Sequence, residues 1–76
     1  MDAKHKGYGI ESVSWTRADT GRFKLRVSIL KYAGNSVTDY TKFLGEEFDT
    51  QDEAEQFGVR FCMDVIDGKV PNCSVN

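Results

Sequence analysis

The stretch FDTQDEAEQFGVRFCMDVIDG, residues 48–68, predicts one capped helix and indicates where it begins and ends. Thr50 is followed three residues later by Glu53, which is the capping-box spacing, in which the hydroxyl accepts a hydrogen bond from the amide of the third residue. Gly68 suits the left-handed conformation that follows many helix ends. We therefore expect a helix over about residues 51–67.

This helix has more apolar surface than one small sheet buries. At 100° per residue, one stripe is predicted to face the sheet: Ala54, Phe57, Gly58, Phe61, Cys62 and Val65. The apolar arc continues around the helix through Val59, Met63 and Ile66. Since a three-stranded sheet covers roughly a third to half of a helix circumference, either the termini cover this flank or it is a surface for self-association or a partner.

The remaining elements are predicted to be strands. Apolar residues alternate with polar ones over residues 23–29, which indicates a strand with one buried face. Turn residues at 18–21 make residues 9–17 its hairpin partner. A second turn at 33–36 precedes a third strand over about residues 37–47, which we expect at the edge of the sheet.

The first of these strands shows a break in its alternation. Ile10 is out of phase with Val13 and Trp15, so that the three side chains do not share one face of a regular strand. We therefore expect a bulge or twist near Glu11 and Ser12.

These elements define an α+β fold, a three-stranded antiparallel meander packed against one C-terminal helix. We expect a single small domain over residues 1–76, with loose termini at 1–7 and 69–76. At this length almost every apolar side chain must join one core, so a deep substrate cavity would remove contacts that the fold needs. An enzyme is therefore disfavoured, and no small-molecule substrate is indicated.

No residue pattern points to catalysis, a cofactor or a metal. His5 is the only histidine, and it lies in a terminal segment that is expected to fray. No second histidine is present to form a Ser-His or Cys-His catalytic pair elsewhere in the chain. Cys62 lies in the helix stripe, where burial raises a thiol pKa, the opposite of what a nucleophile requires. His5, Cys62 and Cys73 lack the spacing of a metal site.

The chain shows neither the apolar run of a secretory signal nor that of a membrane span, so we expect a cytoplasmic protein with no membrane partner. Its two cysteines are then expected to remain thiols.

Charge is unevenly distributed along the sequence. The net charge is −2, yet residues 17–31 hold five basic residues against one acidic residue, and residues 51–68 hold five acidic residues against one basic residue. A basic outer sheet face opposite an acidic helix is therefore expected. Nucleic-acid readers use cations for phosphates and rings for bases, which gives a candidate set of Arg17, Arg22, Lys24, Arg26, Lys42 and Phe43.

One segment resembles a known DNA-binding domain. Leu44-Gly45 through Phe48-Asp49-Thr50-x-x-Glu53-Ala54 resembles the strand-to-helix junction of the plant ethylene-response-factor domain, and Gly21-Arg22-Phe23 resembles the start of its second strand. The strand order is also similar to the amino-terminal arm-binding domains of some phage and transposon integrases. The resemblance covers residues 8–68 and implies a sheet in the DNA major groove, with Arg26, Ser28 and Phe43 facing DNA. The same pattern with a later Ile-Asp looks like small uncharacterised bacterial proteins, for which no activity is implied.

Two functions follow from the sequence. The first is a small non-enzymatic interaction module that binds a protein partner, or a second copy as a homodimer, through Val59, Met63 and Ile66 or through strand edges. The alternative is a DNA-binding domain, related to a phage or mobile element, that uses the basic outer face.

Overall fold

A computed structural model describes residues 1–71 and shows one antiparallel sheet with one helix packed across it. The elements are β1 (Asp2–His5), β2 (Tyr8–Thr16), β3 (Phe23–Ala33), β4 (Ser36–Phe48) and α1 (Gln51–Ile66). The spatial order β1-β2-β3-β4 follows the chain. The predicted α+β class with an antiparallel sheet and one C-terminal helix is confirmed. The predicted number of strands, three, is wrong because there are four.

The additional strand, β1, lies in the segment 1–7 that was expected to be loose. Lys6 and Gly7 both have positive φ, 51° and 83°, which is the backbone of a two-residue type I′ turn, and this turn pairs His5 with Tyr8. Of the other predicted loose terminus, residues 69–71 carry no helix or strand, whereas residues 72–76, including Cys73, lie outside the described part of the chain.

The predicted bulge in β2 is absent. β2 and β3 pair without interruption from Gly9 to Thr16, and the register shift that is present lies between β3 and β4, near Phe23. Ser12, not Val13, takes the inward position after Ile10. Val13 and Trp15 therefore point away from the helix.

The helix packs against the face of the sheet that β2 and β3 form. The buried core residues are Ile10, Leu25, Val27, Ile29, Leu44, Val59, Cys62 and Val65. Gly58 allows the close approach: a Cβ built there lies 2.9 Å from Val27 Cγ1 and 3.1 Å from Leu25 Cδ2, and would collide with the Ser12 hydroxyl. Two small residues, Ser12 and Gly58, thus set the distance between helix and sheet.

Both ends of α1 are capped as the sequence predicts. The Thr50 hydroxyl accepts a hydrogen bond from the Glu53 amide at 3.1 Å. At the other end Gly68 has φ 77°. The Gly68 amide donates to the backbone carbonyl of Val65, and the Lys69 amide donates to the backbone carbonyl of Asp64. This is a Schellman motif, and it ends the helix at Ile66 with Asp67 as the cap.

Asp67 ties the end of the helix to the β1–β2 turn. Its Oδ1 lies 2.6 Å from Lys6 Nζ and 2.9 Å from His5 Nε2. These hydrogen bonds, that of Lys6 first and then that of His5, lower the pKa of Asp67 from 3.8 to about 2. The carboxylate therefore holds β1 in place while it is ionised.

This pKa predicts a specific acid sensitivity. Because the folded-state pKa is lower than the unfolded value, the contribution of Asp67 to stability is fully present above about pH 4 and is lost as the pH falls towards 2. We expect the thermal midpoint of Asp67→Asn to fall less steeply between these two pH values than that of the wild type. Calorimetry at matched ionic strength measures the difference, and parallel curves for the two proteins would contradict it.

Candidate functional site

The helix flank for which two alternatives were open, cover by the termini or a surface for a partner, is largely covered by the protein itself. Val59 is buried, 9% exposed, and Met63 and Ile66 are half-buried against the core. Two hydrogen bonds, from Ser14 to Glu55 and between His5 and Asp67, show that this side of α1 faces β2 and β1. Of the two alternatives, cover by the N-terminal segment therefore applies to Val59, because residues 1–5 lie along this side of α1 and form the unpredicted strand β1.

The exposed apolar side chains are found instead on the side of the sheet that α1 does not cover. We call this side the open face, and it consists of the outward residues of all four strands. Among residues 1–71 seven large apolar side chains are exposed, and five of them occupy outward positions in the pairing register: Val13, Trp15, Tyr32, Val37 and Phe43. The open face thus holds most of the exposed apolar surface.

Two apolar patches lie along the open face. In the first, Trp15 and Phe43 meet edge to face across β3, with ring centroids 6.1 Å apart, and Val13 lies beside them on β2. In the second, near the β3–β4 turn, Tyr32 lies opposite Val37. Phe43 is 68% exposed and Val37 59%, so both patches remain accessible.

The open face is electrically balanced, not basic as expected. The outward charged residues of the paired strands are three acidic and three basic: Asp2, Glu11, Asp39, Lys4, Lys24 and Arg26. Acidic and basic side chains are also close together, since Arg26 Nη2 lies 3.0 Å from Glu11 Oε1. A polyanion therefore gains little net attraction from this surface.

The six predicted nucleic-acid-binding residues do not share one surface. Lys24, Arg26 and Phe43 lie on the open face, whereas Lys42 lies on the helix side with its ammonium 5.8 Å from the centre of the Phe61 ring. Arg17 and Arg22 lie in the β2–β3 loop.

Both loop arginines are paired with acidic groups. Arg17 forms an ion pair with Asp19 at 2.8 Å, and Arg22 forms one with Asp49 at 2.9 Å. Only three of the six predicted residues are therefore grouped.

Several polar groups of the open face already have partners within the protein, although Arg26 Nε has no hydrogen-bond partner. The hydroxyls of Ser28 and Thr41 lie 3.1 Å apart, and Thr41 donates to Asp39 at 2.8 Å. Lys24 Nζ donates to the Gly45 carbonyl at 3.3 Å. A protein that covers the open face would leave these groups paired, which avoids the cost of burying an unsatisfied polar atom.

The groups that carry chemistry elsewhere are few. Burial raises the pKa of the Cys62 thiol to about 11, as the sequence indicates for a residue in the helix stripe. Within residues 1–71, no three His, Cys, Asp or Glu side chains are grouped as a metal site would require. In the same range no helix has the length and apolarity needed to span a membrane.

Comparison with protein-family models, with curated proteins and with solved structures gave no match to this chain. The resemblance to the ethylene-response-factor domain therefore remains a prediction from the sequence alone.

Most of the open face was not predicted as a site from the sequence. The sequence did contain a signal for this face, namely the break in apolar alternation between Ile10 and Val13. The structure explains this break by a regular strand that carries apolar residues on both faces. Ser12 and Ser14 then take inward positions under the helix. Small polar residues in the core and large apolar residues outside it reverse the usual pattern, so the break in alternation was interpreted as a bulge.

Proposed function

We propose that this protein is a small non-enzymatic module that binds a protein partner through the open face of its sheet. The observation that carries the proposal is the placement of five of the seven large exposed apolar side chains on this face. Isolated apolar residues are common on protein surfaces, but contiguous apolar patches beside paired polar groups are typical of interaction sites.

The balanced charge of the open face defines the chemistry of the partner. Three acidic and three basic side chains among aromatic and aliphatic groups favour an apolar protein surface of low net charge. Trp15 and Phe43 form the centre of the proposed contact, because aromatic side chains contribute most to protein interfaces. DNA binding through Lys24 and Arg26 is the other candidate, and the same experiment tests it.

The experiment uses Trp15, the single tryptophan, as a probe within the proposed site. Proteins captured by the wild type are purified and titrated against it while the Trp15 emission is recorded. We expect a blue shift of the wild-type emission on binding. We expect Trp15→Thr/Phe43→Thr, which lacks the tryptophan and is therefore titrated by calorimetry beside the wild type, to bind more weakly by roughly a hundredfold or more. The matched control, Arg60→Ala on the exposed ridge of α1, is expected to bind as the wild type does.

Two results would contradict the proposal. One is that every captured protein binds the open-face variant as tightly as the wild type. The other is that duplex DNA shifts the Trp15 emission at low salt, with an affinity that falls steeply as salt is added, since this is the signature of phosphate contacts.

A further inference from the structure

The second exposed feature of the sheet is the edge formed by β4. This strand pairs with β3 on one side, and within residues 1–71 no strand pairs with its other side. From residue 36 to residue 43 its side chains are exposed on both faces. Proteins usually protect long edge strands, because the unpaired backbone groups accept another strand.

The β3–β4 turn determines which backbone groups of β4 point outward. Its loop has two residues, Gly34 and Asn35, and Gly34 has φ 60°, as a type II′ turn requires at its first central position. In such a hairpin the flanking pair, Ala33 and Ser36, exchanges both hydrogen bonds. Because the pattern alternates, Val37 and every second residue after it present their N–H and C=O groups to the free edge.

The sequence of β4 is complementary to itself in one antiparallel register. With Tyr40 on a two-fold axis, Val37 lies opposite Phe43 of a second copy on one face, and Thr38 lies opposite Lys42 on the other. Asp39 then lies opposite Thr41, so no like charges face each other. In this register the residues whose N–H and C=O groups point to the free edge lie opposite one another in the two copies. Their backbone groups are therefore aligned for hydrogen bonding.

Neighbouring registers are less favourable. An axis at Asp39 or at Lys42 places two like charges directly opposite, which destabilises a strand pair. An axis at Thr41 places Val37 opposite Gly45 and Asp39 opposite Phe43, which removes the apolar pair.

We propose that β4 pairs with β4 of a second copy of this chain, antiparallel and with Tyr40 on the two-fold axis, to give a continuous eight-stranded sheet. The helices of both copies then lie on the same side, and the two open faces form one surface. About nine residues of each strand take part, so the interface is small and the dimer is expected to be weak. This proposal is carried by the free backbone edge of β4. The side chains of Val37 and Phe43 belong both to this edge and to the open face, but the strand pairing does not depend on the proposed function.

Cysteine crosslinking tests the register. Tyr40 is a non-hydrogen-bonded position, where two copies of the same residue have Cα atoms about 4.5 Å apart, within the range for a disulfide. In a Cys73→Ser background, Tyr40→Cys is expected to give mostly covalent dimer with oxidised glutathione, which is reduced as the two thiols join. Thr38→Cys is the matched control. It is expected to give only a trace of covalent dimer, because residue 38 lies opposite Lys42 of the second copy and not opposite residue 38.

A second variant tests the backbone pairing itself. Thr41→Pro removes an outward-facing amide and the hydroxyl that pairs with Ser28, but no backbone hydrogen bond to β3. It is therefore expected to fold and to weaken the dimer by at least roughly tenfold in sedimentation equilibrium. Trp15→Thr changes the open face alone and is expected to dimerise as the wild type does. Equal crosslinking of Tyr40→Cys and Thr38→Cys, preferential crosslinking of Thr41→Cys, or a strict monomer at high concentration would overturn the proposal.

Discussion

Replacing Val59 with aspartate is expected to remove a large part of the protein's free energy of unfolding, whereas the same replacement at Phe43 is expected to be tolerated. Val59 is 9% exposed and belongs to the core cluster, so the new carboxylate would be buried without a partner. Such a charge costs about 3 kcal/mol or more. A domain of this size has a total stability of only about 4–11 kcal/mol, so the loss is a substantial fraction of the whole.

Phe43 is the matched control for this prediction. Because its side chain is 68% exposed, its replacement by aspartate is expected to change the free energy of unfolding by no more than about 1 kcal/mol. Urea denaturation of both variants, followed by circular dichroism, measures the contrast. If Val59→Asp is as stable as Phe43→Asp, the helix flank is solvent-exposed and β1 does not cover it.

Gly58→Ala is expected to destabilise the protein by about 2 kcal/mol, although alanine favours helices. On an exposed helix surface this change stabilises by about 1 kcal/mol. Here the added Cβ would lie 2.9 Å from Val27 Cγ1 and would collide with the Ser12 hydroxyl. Valine has little rotamer freedom with which to yield, so the helix must move away from the sheet.

A double-mutant cycle tests the cause of this effect. Ser12→Gly removes the nearest obstacle, so Gly58→Ala is expected to cost less in that background than in the wild type. Arg60→Ala, on the exposed ridge two residues further along the helix, is expected to be near neutral. If Gly58→Ala stabilises the protein, or if Ser12→Gly does not reduce its cost, the close contact between helix and sheet is absent.

Local chemistry made the helix predictable from the sequence. Thr50, Glu53 and Gly68 act through hydrogen bonds and backbone conformation within a few residues of their own positions, and the structure shows the expected cap at each end. The β3 alternation was equally informative, because Leu25, Val27 and Ile29 all lie under the helix.

The first strand was missed for a physical reason. Its sequence, DAKH, shows no apolar alternation. Its position depends on pairing with β2 and on the contacts of Lys6 and His5 with Asp67, which lies more than sixty residues away. Such distant contacts leave no local signal in the chain. The error propagated to the candidate site, since a three-stranded sheet leaves Val59 uncovered and a four-stranded sheet does not.

The polarity of β2 explains the other error. Ser12 and Ser14 face the helix because a glycine and a glutamate of α1 lie directly above them, a fit that only the packed structure reveals. Trp15 is then directed to the open face, where its contact with Phe43 spans three strands.

The most direct measurement compares three valines in one protein with a soluble gadolinium chelate, which relaxes the NMR signals of solvent-exposed methyl groups. Val13 and Val37 lie on the open face. Val59 is buried on the flank of the helix where Glu55 and Asp67 contact residues 1–6. We predict strong relaxation of the Val13 and Val37 methyl groups and little relaxation of those of Val59. Relaxation of Val59 as strong as that of Val13 would show that the exposed apolar surface is on the helix flank, and would contradict the assignment of the binding surface to the open face.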